Sequence, residues 1–419
     1  MLKSMFQAVH PGMKKCAALL LALFSLVAFL LPAANPAVDG REGSALPVQS
    51  KQKVEETEKP NLPVQVDAKA VTLIDAASGQ TLLSWKENEK LYPASVTKIM
   101  TLLLVAEALD SGMLKLTDEI TASTSASQKG GSQIWLKEGE TMTAEDLIKA
   151  AAVYSANDAC AALAEAVAGS EEAFVAKMNE RAKQLGMTNT TFENCTGLDD
   201  TSENHLTTAR DIGIMAKELL KHPSVTQFSK IWMDSLRDGK TQLVNTNKLV
   251  RFYEGATGLK TGTTAKAGCC IAASAERGGT HLIAVVLGSP DSDSRFETAK
   301  RLLNWGFANY ESVQPEIKDG FIPQVRVLDG KTQYIAPALP ENYSILVPKG
   351  KADTVKPYVD LALDVQAPVE KGQVLGKVTF KDGDTELGSL TLTSPEAVEK
   401  ITYGDMLVRI FQSLAGGKK

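Results

Sequence analysis

Three consecutive runs, GLKTGTT (258–264), AGCCIAASAER (267–277) and THLIAVVLGS (280–289), are built of small and β-branched residues and punctuated by glycines. They read as adjacent antiparallel strands, with Arg277-Gly278-Gly279-Thr280 as the turn of a hairpin. Far upstream, AVTLIDAASGQTLLSW (70–85) alternates and sets Ser78-Gly79 between two apolar halves, which is the signal of a β-hairpin. Most of what lies between is helical in period. Helices are expected over 95–110, closed by Gly112; over 143 to about 154, opened by Thr143-x-x-Asp146; and over 157–168, closed by Gly169. Two more follow over 170–185, closed by Gly186, and 207–221, stopped by His222-Pro223, and a last one over 295 to about 310. Strands at both ends of a helical centre require a sheet completed from both ends, with helices on its faces or inserted as a subdomain. This predicts an α/β domain, an antiparallel sheet covered by helices, over 67–312.

Beyond it the texture shifts. FIPQVRVLDGKTQYIA, YSILVPKG, VDLALDVQAPVEKG, QVLGKVTFKDGD and ELGSLTLT are short alternating runs with frequent turn signals, which predicts a small all-β sandwich over 316–395. The tail over 396–419 spaces Val398, Ile401, Met406, Leu407, Ile410, Phe411 and Leu414 at mostly helical intervals. An amphipathic helix of this kind lies on a membrane surface or docks on the protein's own sandwich; the membrane is the preferred reading.

At the other end, Lys14-Lys15 precede an uncharged apolar run from Ala17 to Leu31 and a stretch of small residues and prolines, the layout of a secretory signal over 1–37. That run is short for a membrane span, so an uncleaved anchor is the second choice. Residues 38–66 mix charge, proline and glutamine and are expected to be a flexible tether. The chain therefore works outside the cytoplasm, at the outer face of the cytoplasmic membrane or in the cell wall. Cys160, Cys195, Cys269 and Cys270 read as small buried side chains rather than a disulfide framework. A net charge of −5 offers no basic face for nucleic acid, and the four histidines and the cysteines show no metal-ligand spacing, so neither nucleic acid, metal nor cofactor is expected.

A serine that cleaves amides needs a base, donors for the developing oxyanion and a proton for the leaving amine. No histidine stands in a nucleophile setting, and G-x-S-x-G is absent. Lysine serves as the base when burial or a positive neighbour lowers its pKa. Ser95-Val-Thr-Lys98 puts a serine and a lysine on one helix face at a helix N-terminus. Taken alone the pair means little, since Ser95 also suits an N-cap and Ser50-Lys-Gln-Lys53 repeats the pattern inside the tether. Its company raises it. Ser155-Ala-Asn157 falls between two helices, and Lys260-Thr261-Gly262, followed by Thr263, lies on a strand, 60 and then 105 residues further on. Singly, Ser155 and Asn157 also suit helix caps and Lys260 an exposed sheet edge.

S-x-x-K, S-x-N and K-T-G in this order are the signature of penicillin-interacting serine enzymes. With DAASGQ, YPAS-x-TK-x-MT, GLDDTSENHLTTARD and G-x-KTGTT-x-x-AG, the whole mature chain resembles the low-molecular-mass penicillin-binding proteins that act as serine-type D-alanyl-D-alanine carboxypeptidases, peptidase family S11. The resemblance implies that Ser95 attacks the penultimate D-alanine carbonyl of a peptidoglycan stem peptide ending in D-Ala-D-Ala, that Lys98 takes its proton, and that β-lactam antibiotics acylate the same serine. It further implies that Ser155 relays a proton to the leaving D-alanine, Asn157 holds Lys98 and the substrate amide, Lys260 supplies positive potential, and Thr261 with Thr263 meets the terminal carboxylate. The backbone N–H groups of Ser95 and Thr263 would form the oxyanion hole. Gly262 lets the substrate strand approach closely. Arg295 is either a second carboxylate partner or a surface arginine capping its region.

Two rivals share the fold. A serine β-lactamase needs a glutamate on a loop after the second motif, whereas Glu165, Glu171 and Glu172 fall in or at the cap of expected helices. A penicillin sensor would acylate once and stop.

Overall fold

The computed structural model describes residues 61–200, 202–340 and 343–415. The expected leader and the tether up to residue 60 lie outside the described residues. The tether's last residues belong to the fold, because Leu62, Val64 and Val66 alternate and pack against a core cluster.

The central sheet has five antiparallel strands: β1 (Ala70–Asp75), β2 (Thr81–Trp85), β3 (Ala256–Thr264), β4 (Gly268–Arg277) and β5 (Thr280–Ser289), in the order β2-β1-β5-β4-β3. The first and last strands of this sheet in sequence meet where β1 pairs with β5, Leu73 facing Ala284. Period-2 alternation on β1 feeds two cores. Val71 and Leu73 pack with Phe296, Leu302 and Leu303 of a closing helix, Ser292–Asn309, on one face. Ala70 and Ile74 join the helices on the other.

The helical face holds α1 (Lys98–Asp110), α2 (Ala144–Lys149), α3 (Asn157–Ala168), α4 (Glu171–Gln184) and α5 (Ala209–Leu219). Their punctuation acts as its chemistry predicts: Thr143 and Ser170 cap α2 and α4 by accepting from the backbone N–H groups of Asp146 and Ala173, at 3.2 Å in both cases, and Gly169 ends α3 at φ 82°. The helix α1 is apolar almost all round, with Lys98 to Ala106 entirely buried, so it runs through the interior. That sequence fact places a lysine in a dry environment. The closing helix starts three residues earlier than expected, because Asp291 caps it through the Ser294 N–H at 2.8 Å.

The C-terminal part contains only short sheets. Tyr310–Val313 pairs with Ile345–Pro348, so β structure begins at the end of the closing helix, before the expected boundary. Lys356–Leu361, Val374–Asp382 and Thr385–Thr393 form one three-stranded sheet, and Val325–Leu328 joins two shorter strands in another. A final helix, Tyr403–Ala415, is opened by a reciprocal cap in which the Thr402 N–H donates to the Asp405 carboxylate at 2.9 Å and the Asp405 N–H to the Thr402 hydroxyl at 3.2 Å. Arg409 ties it to the carbonyls of Gly330, at 3.0 Å, and Lys331, while Tyr403, Leu407, Val408 and Phe411 stay exposed. Among the described residues no helix is long and apolar enough to cross a membrane.

Candidate active site

The serine of the first motif is not an N-cap. Ser95 sits in a 3-10 turn, Ala94–Thr97, ahead of α1, and its neighbour Ala94 is held at φ 48°, a left-handed conformation that costs a non-glycine residue on the order of 1–3 kcal/mol. The turn winds into α1 so that Lys98 Nζ lies 2.9 Å from Ser95 Oγ. The same amine donates to the Thr196 carbonyl at 2.7 Å. Burial pushes the Lys98 pKa below the ordinary lysine value, opposed by the nearby Cys160, Cys195 and Asp158. A neutral amine that gives one hydrogen to Thr196 keeps its lone pair for the serine hydroxyl.

The second motif arrives by an irregular route. After α2 the chain continues as a π-helical segment, Ala150–Tyr154, whose wide turn ends with Ser155 in the left-handed region at φ 69°. Neither Ser155 nor Asn157 caps α3, where Ala156 takes the N-cap position without a side-chain bond. Asn157 is buried; its backbone N–H donates to the Ser132 carbonyl at 2.7 Å and its Nδ2 to the Gly130 carbonyl at 2.6 Å. Its Oδ1 is buried with no partner among the described residues, an acceptor in want of a donor.

The third motif lies on β3, the edge of the sheet, yet Lys260 is 1% exposed and so does not guard that edge. Burial and then the charge of Lys98 push its pKa well down, so the two amines are close enough to repel. Lys260 Nζ donates to the Thr261 carbonyl at 2.8 Å, and Thr261 Oγ1 to Thr246 Oγ1 at 2.7 Å. Gly262 passes directly over the nucleophile: a Cβ built there would stand 2.7 Å from the Ser95 nitrogen. Thr263 Oγ1 donates to the Gly262 carbonyl at 2.8 Å. Arg295 is no surface residue. It is 5% exposed, and its Nη1 donates to the Gly262 carbonyl, Thr263 Oγ1 and the Cys270 carbonyl, each at 3.2 Å, which ties the start of the closing helix to this strand.

The structure therefore gathers Ser95, Lys98, Lys260, Gly262, Thr263 and Arg295, and sets α3, which carries Asn157, beside Lys98. Several partners escaped the sequence reading. The Thr196 carbonyl and Thr246 hydroxyl come from loops, and Asp158 receives the Ile134 and Leu136 N–H groups at 3.2 and 3.0 Å. The three glutamates of the β-lactamase alternative have other partners or face water: Glu165 accepts from Ser123 Oγ at 2.9 Å, Glu171 pairs with Lys129 and accepts from Cys195, and Glu172 is exposed. The four described cysteines are free thiols, all buried.

His205 lies in a loop outside the three motifs, where no sequence pattern marks it. It is 1% exposed, accepts the Glu193 N–H at Nδ1 at 3.0 Å, and therefore carries its hydrogen on Nε2, which donates to Thr97 Oγ1 at 2.8 Å inside the first motif. Burial holds its pKa at about 4. The unfolded chain takes up a proton near pH ~6.5 that the folded chain refuses until about 4, so stability falls as pH drops through that interval. We expect denaturant titrations to show a loss of up to about 1.4 kcal/mol per pH unit there, with the slope reduced in His205→Gln. An unchanged slope would remove His205 from this account.

A buried lysine against a serine at the start of an interior helix, with a lysine-bearing edge strand lying over both, is the arrangement of a serine acyl-transfer enzyme. The profile of the D-alanyl-D-alanine carboxypeptidases matches residues 53–291, and that of the C-terminal domain of penicillin-binding protein 5 matches residues 310–400. The chain belongs to the D-alanyl-D-alanine carboxypeptidases of peptidase family S11. It is 42% identical to the D-alanyl-D-alanine carboxypeptidase DacF of Bacillus subtilis, over 82% of this chain and 89% of that one. Penicillin-binding protein 5 from Haemophilus influenzae is similar in structure, with a TM-score of 0.70 and 33% identity over 81% of this chain and 99% of the other. Penicillin-binding protein D2 from Listeria monocytogenes, solved in its ampicillin-bound form, matches 59% of this chain and all of its own length, with a TM-score of 0.51 and 31% identity.

Proposed function

We propose that this protein removes the terminal D-alanine from peptidoglycan stem peptides through an ester on Ser95. The carrying observation is the 2.9 Å approach of a fully buried Lys98 amine to the Ser95 hydroxyl. In this reading the hydroxyl proton passes to Lys98 as Ser95 Oγ bonds to the carbonyl carbon of the penultimate D-alanine. The oxyanion is met by the N–H groups of Ser95 and Thr263. The C–N bond then breaks, Ser155 relays a proton to the departing nitrogen, and water cleaves the ester. Asn157 holds Lys98 and the substrate amide, Lys260 supplies positive potential, and Thr261, Thr263 and Arg295 orient the terminal carboxylate. A β-lactam forms the same ester and leaves slowly, in keeping with the ampicillin complex of the Listeria protein.

Mass spectrometry after exposure to a labelled penicillin tests this directly. We expect one adduct on Ser95 and none in Ser95→Ala, with D-alanine released from a peptide ending in D-Ala-D-Ala. Rapid turnover of penicillin without peptide cleavage would make the protein a lactamase, and a single acylation without turnover would make it a sensor.

The chemistry is assigned to 67–312, and the strands beyond it to a stalk that holds the site away from a membrane. The protein is read as exported, with cleavage of the leader and attachment of the final helix to the outer face of the cytoplasmic membrane through the exposed Tyr403, Leu407, Val408 and Phe411. Flotation with anionic lipid vesicles is expected for the full chain and lost on truncation after residue 400; flotation of both would refute the attachment.

A further inference from the structure

Beside the second motif lies an open groove of about 760 Å³ that the proposed mechanism leaves unused. One wall is the loop that follows Gly131, and the other is the hairpin formed by Met233–Leu236 and Thr241–Val244. Its most conspicuous feature is Trp135, 74% exposed between Ile134 and Leu136, which are 2% and 4% exposed. Trp135 is held at φ 60°, in the left-handed region, and the backbone N–H groups on either side of it are both fixed by the buried Asp158 carboxylate. An indole ring is thus displayed to water against both its hydrophobicity and its backbone preference, by a side chain that immediately follows Asn157.

The remaining lining is mostly polar and carries both signs of charge, Lys137 and Lys240 beside Glu138 and Glu140. Tyr154, next to Ser155, adds a second partly exposed ring, and Gln133 and Gln242 add planar amides. Arg237, itself at φ 54°, spans the floor, donating to Glu140 at 2.6 Å, to the Ile134 carbonyl at 2.9 Å and to Thr241 Oγ1 at 2.9 Å. Its Nη2 is buried without a partner among the described residues. Aromatic faces flanked by amide and guanidinium groups suit a ligand with apolar C–H faces and a rim of hydroxyl and acetamido groups. The loop that carries Trp135 also supplies the Gly130 and Ser132 carbonyls that hold Asn157, so a ligand in the groove adjoins the reacting peptide.

We infer that this groove is a saccharide subsite, which binds the N-acetylated amino sugars to which the stem peptide is attached. The inference rests on the carboxypeptidase reading for its choice of ligand, but its test does not depend on turnover. The full chain carrying Ser95→Ala is titrated with a peptide-free β-1,4-linked disaccharide of N-acetylated amino sugars, followed by isothermal titration calorimetry. Saturable binding is expected, weakened about tenfold by Trp135→Ala, the size of one lost stacking surface, and largely kept by Trp135→Phe. Absence of binding, or equal binding by Trp135→Ala, overturns the subsite whether or not the enzyme is active. In the turnover arm, with Ser95 intact, Trp135→Ala should lower kcat/KM for a disaccharide-linked pentapeptide about tenfold relative to its effect on the free pentapeptide. An equal loss for both substrates would assign the groove to the peptide and refute the sugar.

Discussion

Replacing Lys98 by methionine should slow acylation of Ser95 by penicillin about 10³-fold while leaving the protein folded. Lys98 sits on an interior helix with no exposed surface, so an apolar side chain of similar length fills its place and removes the cost of a buried amine. What is lost is the only basic group within hydrogen-bond distance of Ser95 Oγ among the described residues. The pH dependence carries the same argument. Burial lowers the Lys98 pKa, and only the neutral amine accepts the proton. The wild-type acylation rate should therefore rise about tenfold per pH unit below that pKa and level off above it, before the ordinary lysine range near ~10.4 is reached. Stopped-flow acylation between acid and mildly alkaline pH gives the profile. A rate that ignores pH throughout, or a Lys98→Met enzyme at wild-type speed, would mean that another group deprotonates the serine.

The parts of this site legible in the sequence are those in which side-chain type and local spacing coincide. Ser95 and Lys98 are three residues apart at the start of an apolar helix, and Lys260 to Thr263 stand on a strand whose period and glycines mark it as such. The caps Thr143, Ser170 and Gly169 are legible for the same reason. What the pattern hides is geometry that leaves composition untouched. The π-helical turn over Ala150–Tyr154 has the apolar residues of an ordinary helix, but its extra width delivers Ser155 in the left-handed region. The carbonyl of Thr196 has no side-chain signal at all, Thr246 lies outside any regular element, and His205 sits 108 residues from the Thr97 that it bonds. Taken singly, Lys260 also suits an exposed sheet edge, and topology does put it on the outer strand; the turn of Pro93, Ala94 and Ser95 packs against that strand, and Lys260 is buried. Arg295 reads equally as surface or site until the closing helix is seen to start at Ser292, which turns its guanidinium inward.

Gly262→Ala should lower acylation by about 10²- to 10³-fold, the range for loss of one oxyanion donor, although it adds a single methyl group outside the hydrogen-bonded machinery. The Cβ would meet the Ser95 nitrogen at 2.7 Å and the Ala94 Cβ and Pro93 carbonyl at 2.9 Å. All three neighbours belong to the nucleophile turn, which has little slack: Ala94 is already left-handed at φ 48°, and Gly197 presses on its carbonyl from the other side, where a Cβ would stand 1.8 Å away. Strand β3 must therefore move outward, and with it the Thr263 N–H. The Lys98 to Ser95 contact lies within the turn and survives, so the defect should appear as slow acylation with a pH profile of unchanged shape, which separates it from loss of the base. Gly388→Ala provides the control, since its Cβ would find Ile345 at 3.6 Å in ordinary contact, and its acylation rate should match wild type. Should Gly262→Ala acylate within about threefold of wild type, the strand is not held against the nucleophile closely enough for its backbone to form the oxyanion site.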